Sequence, residues 1–394
     1  MQIVARNLSQ SLAQLAQYYP VVTVTGPRQS GKTTLCQAAF PRHRYVSLEP
    51  LDVRDRARSD PRGFLGELGG GAVLDEIQNV PELLSYLHAE VDRDASPGRF
   101  VLTGSQHFAL SQAISQSLAG RTAVLTLLPL TLGELRRFES APAELLEVLW
   151  SGGYPRIHDR RIPAGRWHAD YVSTYVERDV RQVTRVADLE SFATFLRHCA
   201  GCTAREVNLS DLGGAAGVSH NTARAWLSVL ETSHICFRVP AWHANFKKRL
   251  VKSPKLHFVD SGLVCHLLGI HEPEQLRHHP LRGAVFESWV AAEIRKTRLH
   301  QGLPAPLFHY RESRGLEVDL ILDLGQHLSL IETKTSSTTA SDFLQPLKEL
   351  KSRLATQRDP SEIRNVLIYG GETAQRRAHG DVVPWSSLDA ETWV

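Results

Sequence analysis

Four short apolar runs in the first third of the chain have the pattern of strands buried in a parallel sheet. They span residues 19–25, 71–75, 98–103 and 122–130. Such runs are typical of central parallel strands, because helices cover both faces of a sheet of this kind. The pattern therefore predicts a parallel α/β unit over residues 1–130. Apolar side chains then recur at intervals of three and four residues, which predicts a helical lid over residues 131–195.

The next segment, residues 196–270, has the pattern of two helices joined by a tight turn. Gly217 ends the first helix, and Ser219 can cap the second. Strand-like runs at 235–239 and 255–260 flank a basic tip. This order predicts a winged helix-turn-helix, a fold that either binds DNA or only packs against protein.

If this unit binds DNA, its second helix would enter the major groove and its tip would contact phosphates. The candidate groove contacts are His220, Asn221, Thr222 and Arg224. The candidate phosphate contacts are Lys247, Lys248, Arg249 and Lys252. If the unit has a binding function of its own, the partner that we expect is DNA.

The last segment, residues 271–394, predicts a second α/β unit. An amphipathic helical pattern from Arg282 comes first. Three strand-like runs follow, at 307–311, 316–322 and 328–334. A period of two places Glu332 and Lys334 on one face of the last strand. Asp319 can meet Glu332 across the hairpin that joins the last two runs.

The amino-acid composition excludes several classes of protein. The chain has 394 residues, 42% hydrophobic and 22% charged, which excludes a disordered tail, a collagen-like repeat and a coiled-coil rod. A formal net charge of +3 is too small to indicate nucleic-acid binding, so any evidence for such binding must come from local basic patches. Five scattered cysteines do not suggest a disulfide framework. Neither a signal peptide nor a membrane-length apolar run is visible, so we expect a cytoplasmic protein without membrane contact.

The strongest chemical signal follows the first predicted strand, where the chain matches the phosphate-binding pattern G-x-x-x-x-G-K-[ST]. The predicted contacts are Gly26, Pro27, Arg28, Gln29, Ser30, Gly31, Lys32, Thr33 and Thr34. In this pattern backbone N–H groups surround a phosphate at the start of a helix. Lys32 would reach the β- and γ-phosphate oxygens, and the Thr33 hydroxyl would bind Mg²⁺. We therefore expect ATP and Mg²⁺ as ligands.

Polar residues near the other runs complete a predicted Mg²⁺-dependent ATPase site. Asp75 would hold the Mg²⁺, and Glu76 would polarise the attacking water. Ser105 would sense the γ-phosphate or position water. Arg121 is either an arginine finger, acting within the chain or across a subunit boundary, or an ordinary surface side chain.

Four short stretches together resemble the AAA+ ATPases of prokaryotes: Gly-Pro-Arg-Gln-Ser-Gly-Lys-Thr-Thr, Val-Leu-Asp-Glu-Ile-Gln, Leu-Thr-Gly-Ser-Gln and Ser-Leu-Ala-Gly-Arg. More narrowly, they resemble the group that carries a C-terminal domain of unknown function of the 4143 type. Residues 152–155 and 171–180 are also typical of that group. The resemblance implies an AAA+ core with a helical lid, and a homo-oligomer, for which a hexameric ring is one form.

The C-terminal residues resemble the PD-(D/E)xK nuclease fold, with Val318 where proline often stands. In such a site Asp319 and Glu332 would share a divalent metal, and Lys334 would activate water or stabilise developing charge. Glu287 on the preceding helix would add a ligand. The alternatives are charged residues that only occupy strand ends, or a fold of this type without activity.

Two functions are compatible with these patterns. The leading hypothesis is an ATP-driven machine that acts on DNA, branched or damaged forms included, with cleavage or end processing by the C-terminal site. The alternative is a nucleotide-switched signalling or scaffold ATPase, whose winged helix and degenerate nuclease-like domain bind protein. Stimulation of ATP hydrolysis by DNA would favour the first hypothesis.

Overall fold

The first unit is a parallel sheet with helices on both faces. The computed structural model describes residues 2–104, 117–175, 189–242, 253–312, 315–356 and 358–393. The sheet has the strand order β2-β3-β4-β1-β5, and all its pairs are parallel. Its strands are β1 (Val21–Thr25), β2 (Arg44–Ser47), β3 (Ala72–Asp75), β4 (Phe100–Thr103) and β5 (Thr122–Thr126). Its helices are α1 (Leu8–Leu15), α2 (Lys32–Ala39), α3 (Leu51–Ser59), α4 (Pro61–Gly66), α5 (Leu83–Arg93) and a short 3-10 helix (Ile77–Asn79). The predicted parallel unit is confirmed, and only the partly exposed edge strand β2 was missed.

Alternate residues of the central strand β1 pack into two different apolar layers. Val22 and Val24 pack with Leu35 on the side of α1 and α2. Val21 packs with Leu87 on the side of α3 to α5. Because the strands are parallel and β1 lies between β4 and β5, the loops after β1, β3 and β4 leave the same edge of the sheet. That edge is where ligands bind in sheets of this class.

The described part of the segment after the sheet is helical, as its spacing predicted. It contains α6 (Leu132–Leu135), α7 (Leu145–Ser151), α8 (Pro155–Arg160) and α9 (Ala164–Tyr175). Thr131 and Glu134 form a capping box at the start of α6, each side chain accepting a hydrogen bond from the other residue's backbone N–H. This cap fixes the chain where it leaves the sheet.

The middle of the chain forms a unit of helices on a small antiparallel sheet, in the strand order β6-β8-β7. Its elements are α10 (Leu189–Gly201), β6 (Arg205–Glu206), α11 (Leu209–Ala215), α12 (His220–Thr232), β7 (Cys236–Val239) and β8 (Lys255–Phe258). Gly217 has φ +71° between α11 and α12, and the Ser219 side chain accepts a hydrogen bond from Thr222 N–H at the start of α12. Two further helices, α13 (Ser261–Leu267) and α14 (Pro273–His278), lead to the last unit.

The C-terminal unit is a separate mixed sheet with the order β13-β14-β12-β11-β10-β9. Its helices are α15 (Arg282–His300), α16 (Gln345–Leu354) and short 3-10 helices at Ser341–Leu344, Pro360–Glu362 and Trp385–Ser387. Its strands are β9 (Leu307–Arg311), β10 (Glu317–Asp323), β11 (Leu328–Lys334), β12 (Ile363–Tyr369), β13 (Gln375–Arg377) and β14 (Gly380–Pro384). The antiparallel hairpin of β10 and β11, with Leu320 opposite Ile331, confirms the predicted second sheet.

Helix α15 differs from its prediction. Instead of being amphipathic, it is buried on several sides, because it contacts the first sheet at β5, the middle unit at β8 and the C-terminal sheet at β11. Its polar residues Glu293, Lys296 and His300 are buried as well, and each has a partner: Lys296 pairs with Glu293, and His300 accepts a hydrogen bond from Leu128 N–H. One apolar cluster is continuous through the lid helices, the middle unit and α15. Within the described residues, no helix is long and apolar enough to cross a membrane.

Candidate nucleotide site and C-terminal charge cluster

The phosphate-binding loop lies between the carboxyl end of β1 and the start of α2. Gly26 has φ +142°, and a Cβ there would meet the Leu127 carbonyl oxygen at 2.1 Å. Gly31 has φ +95° at the amino end of α2. Both positions therefore require glycine, one because of a close approach and both because of backbone conformation. The loop curves around the space in front of the positive end of α2.

Lys32 lies inside this loop. Its ammonium donates hydrogen bonds to the carbonyl oxygens of Gly26 (3.1 Å) and Pro27 (2.8 Å). Burial lowers the pKa of Lys32 to about 8, although the nearby carboxylates of Glu76 and Asp75 act in the opposite direction. A buried ammonium whose hydrogen-bond partners in the described ranges are two backbone carbonyls is well placed to pair with phosphate oxygens.

Asp75 lies at the carboxyl end of β3 and faces Thr33. The Thr33 hydroxyl is 3.1 and 2.9 Å from the two carboxylate oxygens of Asp75. Tyr45 on β2 donates a hydrogen bond to Asp75 at 2.8 Å, and Thr103 on β4 donates another. The hydroxyl of Thr33 and the carboxylate of Asp75 are oxygen donors of the kind that Mg²⁺ takes beside nucleotide phosphates, so the two residues fit the ion. Tyr45 was missed because β2 itself was missed.

Glu76 has a left-handed backbone, with φ +58° and ψ +46°. That conformation is rare for a residue other than glycine. The Gln78 amide donates a hydrogen bond to the Glu76 carboxylate, and Glu76 lines the same cavity as Lys32 and Thr33. Strain of this kind is often found where a side chain has a functional task.

A cavity of about 860 Å³ extends from the phosphate-binding loop towards the lid. Its size is within the ordinary range for small-molecule sites. Its lining includes the apolar side chains of Val4, Leu130 and Phe138 together with several arginines. Arg156 and Arg160, which the sequence did not single out, are two of these arginines. They lie on α8, next to the stretch 152–155 that carries part of the family resemblance. The arrangement offers an apolar place for a base and cations for phosphates.

A buried ionic group contacts the loop, and one of its members, Arg6, also lines the cavity. Arg6 donates to the carbonyl oxygens of Ser30 (2.6 Å) and Leu128 (2.8 Å), and its Nε lies 3.1 Å from Glu134 Oε1. Glu134 also lies 3.5 Å from His300 Nδ1. Burial alone would raise the pKa of Glu134, but the charge of Arg6 and the neighbouring imidazole of His300 hold it well below its ordinary value. Arg6 was missed because nothing in the first residues marks this contact.

Arg121 lies at the amino end of β5, because its backbone oxygen accepts a hydrogen bond from Val21 N–H at the start of β1. The phosphate-binding loop follows the other end of β1. Arg121 pairs instead with Asp92, at 2.5 and 3.0 Å. The predicted action within one chain is therefore incompatible with this geometry, which leaves action across a subunit boundary or a surface role. Ser105 lies outside the described residues.

The candidate DNA contacts in the middle unit lie at the start of α12. His220, Asn221 and Arg224 are exposed and Thr222 is partly exposed, while Trp226 packs inward. The candidate phosphate contacts Lys247, Lys248, Arg249 and Lys252 lie outside the described residues.

The predicted C-terminal residues do come together. Lys334 Nζ is 2.6 Å from Glu332 Oε1. The β10–β11 register has Leu320 opposite Ile331, and its continuation by one residue would place Asp319 opposite Glu332. The carboxylate of Asp319 has other partners, since Asp319 Oδ2 accepts hydrogen bonds from Thr333 N–H (2.9 Å) and Oγ1 (2.8 Å). Burial and the neighbouring Asp319 raise the pKa of Glu332 to about 7.

The predicted metal set of Glu287, Asp319 and Glu332 is not arranged as a metal site. Glu287 Oε1 instead contacts the ammonium of Lys255, at 2.9 Å. Across the described residues, no group of three or more histidines, cysteines and carboxylates is placed to hold a metal ion. The prediction failed because Lys255 comes from β8, far away in the sequence.

Comparisons with known proteins agree with the nucleotide site. Residues 18–136 match the model of an AAA domain, 142–274 a domain of unknown function (DUF8612) and 282–388 a domain of unknown function (DUF4143). The chain thus has an AAA-type P-loop ATPase domain, and the predicted AAA and 4143-type resemblance is confirmed. The resemblance to PD-(D/E)xK nucleases is not supported by these matches.

Two curated relatives cover almost the whole chain. They are the uncharacterized proteins Rv2008c of Mycobacterium tuberculosis and Mb2031c of Mycobacterium bovis, each 31% identical over 380 residues, which is 94% of this chain and 81% of the relative. The chain belongs to the same family as these proteins. Among solved structures, the Walker-type ATPase PABY2304 of Pyrococcus abyssi is similar over 66% of this chain and 94% of its own, with 15% identity and a TM-score of 0.45. A likeness that distant does not bear on function.

Proposed function

We propose that this protein hydrolyses ATP with Mg²⁺ at the carboxyl edge of the first sheet, and that the nucleotide cycle controls an action on DNA bound by the middle unit. The observation that supports hydrolysis best is the contact of the Thr33 hydroxyl with both oxygens of Asp75; Glu76 lines the same cavity as Thr33. Lys32 pairs with the β- and γ-phosphates, and Thr33 and Asp75 hold the Mg²⁺. The ion, when bound, neutralises charge that develops on the phosphates.

Glu76 is the residue that we assign to the attacking water. Its carboxylate lies next to Asp75 in sequence but has its own partner, the Gln78 amide, which orients it. A carboxylate in this position accepts the proton as water attacks the γ-phosphate. The apolar wall of the cavity takes the base, and the arginines of α8 contact the phosphates.

The middle unit is the part that we propose contacts DNA, as a winged helix. The order α10-β6-α11-α12-β7-β8, with an antiparallel β6-β8-β7 sheet, supports this assignment. A recognition helix presents the residues of its first turns to the major groove, and His220, Asn221 and Arg224 are exposed there. The cations 247–249 and 252 fall between β7 and β8, in the sequence position of a wing.

A scaffold function is the second candidate. The observation that favours it is the apolar cluster shared by the lid helices, the middle unit and α15, since a nucleotide-driven change in the lid could rearrange a protein-binding surface. In that case the protein assembles with ATP as a homo-oligomer, in which Arg121 reaches the neighbouring subunit, and DNA has no effect.

The test measures ATP turnover by the full chain with and without single-stranded, duplex and four-way DNA. Lys32→Ala should abolish turnover, and Glu76→Gln should bind ATP but hydrolyse it slowly, because Mg²⁺ coordination by Asp75 survives. Arg224→Ala should reduce stimulation by DNA more than Arg62→Ala, a matched removal of one exposed arginine from the first unit.

Unchanged turnover in Lys32→Ala would refute the ATPase assignment. Normal turnover in the absence of any DNA effect, together with ATP-dependent assembly, would support the scaffold.

A further inference from the structure

A cluster of charged side chains lies where the middle unit meets the C-terminal sheet. Lys255 on β8 is 2% exposed, and its Nζ lies 2.9 Å from Glu287 Oε1 on α15 and 2.9 Å from Glu317 Oε1 on β10. Burial would lower the pKa of Lys255, but Glu287 and the neighbouring carboxylates raise it above the ordinary lysine value. A charged ammonium is thus held by carboxylates of the neighbouring domain.

This ammonium competes with any metal for the same carboxylates. A hard divalent cation such as Mg²⁺ needs near-octahedral oxygen ligands at about 2.0–2.1 Å. Here Glu287 is engaged by Lys255, Glu332 by Lys334, and Asp319 by two hydrogen bonds from Thr333. The residues that a nuclease-like site would use do not fit a metal in this arrangement.

We propose that Lys255 is the resident cation of this carboxylate cluster. It takes the place that a divalent metal would otherwise have, so the C-terminal domain binds neither Mg²⁺ nor Mn²⁺ while the Lys255 side chain is present. Lys255 belongs to β8, and its partners belong to α15 and β10. The same contact therefore links the middle unit to the C-terminal unit. This role of Lys255 does not depend on the function assigned to the nucleotide site.

The cluster keeps the capacity to bind a cation if Lys255 is removed. Glu332 is 6% exposed, and its Oε2 has no hydrogen-bond partner in the described part of the chain. Without Lys255, Glu287 and Glu332 would be buried beside Asp319 with Lys334 as the neighbouring cation. Neighbouring buried carboxylates stay charged only if a cation neutralises them, so we expect Mn²⁺, where it is supplied, to bind in place of the missing ammonium.

The experiment measures Mn²⁺ binding to the nucleotide-free full chain by the electron paramagnetic resonance signal of free Mn²⁺. The amount of Mn²⁺ bound by wild type should equal the amount bound by Asp319→Asn. Lys255→Met should gain about one Mn²⁺ per chain, and the double variant Lys255→Met/Asp319→Asn should lose it again. Lys255→Arg keeps the charge and should gain none.

Two outcomes would overturn the proposal: Mn²⁺ bound by wild type and absent from Asp319→Asn, or no gain in folded Lys255→Met. A second measurement applies even if that variant folds poorly. The double variant Lys255→Met/Glu287→Gln should lose less stability than the sum of the two single losses, because Lys255→Met alone leaves Glu287 as well as Glu317 without its cation. If the loss of stability in the double variant equals the sum of the two single losses, Lys255 is not the cation of this cluster.

Discussion

Replacing Arg6 with methionine should separate two effects that this side chain has on the nucleotide site. The Arg6 side chain is 7% exposed and that of Glu134 is fully buried, with 3.1 Å between Arg6 Nε and Glu134 Oε1. Breaking a buried ion pair by removing one partner costs about 3–5 kcal/mol, because the other charge is left uncompensated. A loss of that size should lower the unfolding temperature by about 10 °C.

The same substitution removes a donor from the phosphate-binding loop. Arg6 holds the Ser30 carbonyl oxygen at 2.6 Å, and a hydrogen bond to a charged group contributes about 1.5 kcal/mol. If the loop loses that support, nucleotide affinity should fall about tenfold. Titration with a fluorescent ATP analogue measures the affinity, and scanning calorimetry measures the unfolding temperature.

The double variant Arg6→Met/Glu134→Gln distinguishes the two effects. It removes both charges, so most of the missing stability should return, whereas the contact with Ser30 is not restored and the affinity should remain low. Arg62→Met, at an exposed position, should change neither quantity. Wild-type stability in Arg6→Met would refute the buried ion pair, and recovery of affinity in the double variant would refute the direct support of the loop.

Two further predictions concern charge at the sites. With a pKa of about 8, the protonated fraction of Lys32 falls from about nine-tenths at pH 7 to about one-tenth at pH 9, so nucleotide affinity measured by titration should fall about tenfold over that range. Lys32→Arg should remove this dependence, and a flat wild-type profile would contradict the lowered pKa. Neutralising residues 247–249 should reduce the slope of log affinity for duplex DNA against log salt by about 0.9 for each DNA phosphate that the protein no longer neutralises; a gel-shift series in which the slope stays constant would exclude these cations from the interface.

Sequence patterns predicted most of the nucleotide site because its chemistry is local. Residues 26–34 form one continuous loop, whose glycines, lysine and threonine act through neighbouring backbone. Asp75 and Glu76 could be placed because parallel strands bring their carboxyl ends to one edge. Similarly, a period of two was enough to place Glu332 and Lys334 side by side.

Tertiary structure decided the interactions that join distant parts of the chain. Arg6 and Glu134, or Lys255 and Glu287, have no signature at their own positions, and only packing shows that each charge is buried beside its partner. Arg121 was a candidate arginine finger within the chain, but the direction of β5 puts it at the end of the sheet away from the loop.

The difference between what the sequence predicted and what the tertiary structure decided is largest in α15 and in the C-terminal charge cluster. The polar residues of α15 have the pattern of a solvated face, yet they are buried: Lys296 pairs with Glu293 of the same helix, and His300 lies 3.5 Å from Glu134. The register of β10 and β11 could be anticipated from alternation, but the identity of the cation beside those strands could not. A sequence by itself determines loops and strand ends because these depend on neighbouring residues. Which charge neutralises a buried carboxylate depends on the side chain that folding brings to it from elsewhere in the chain.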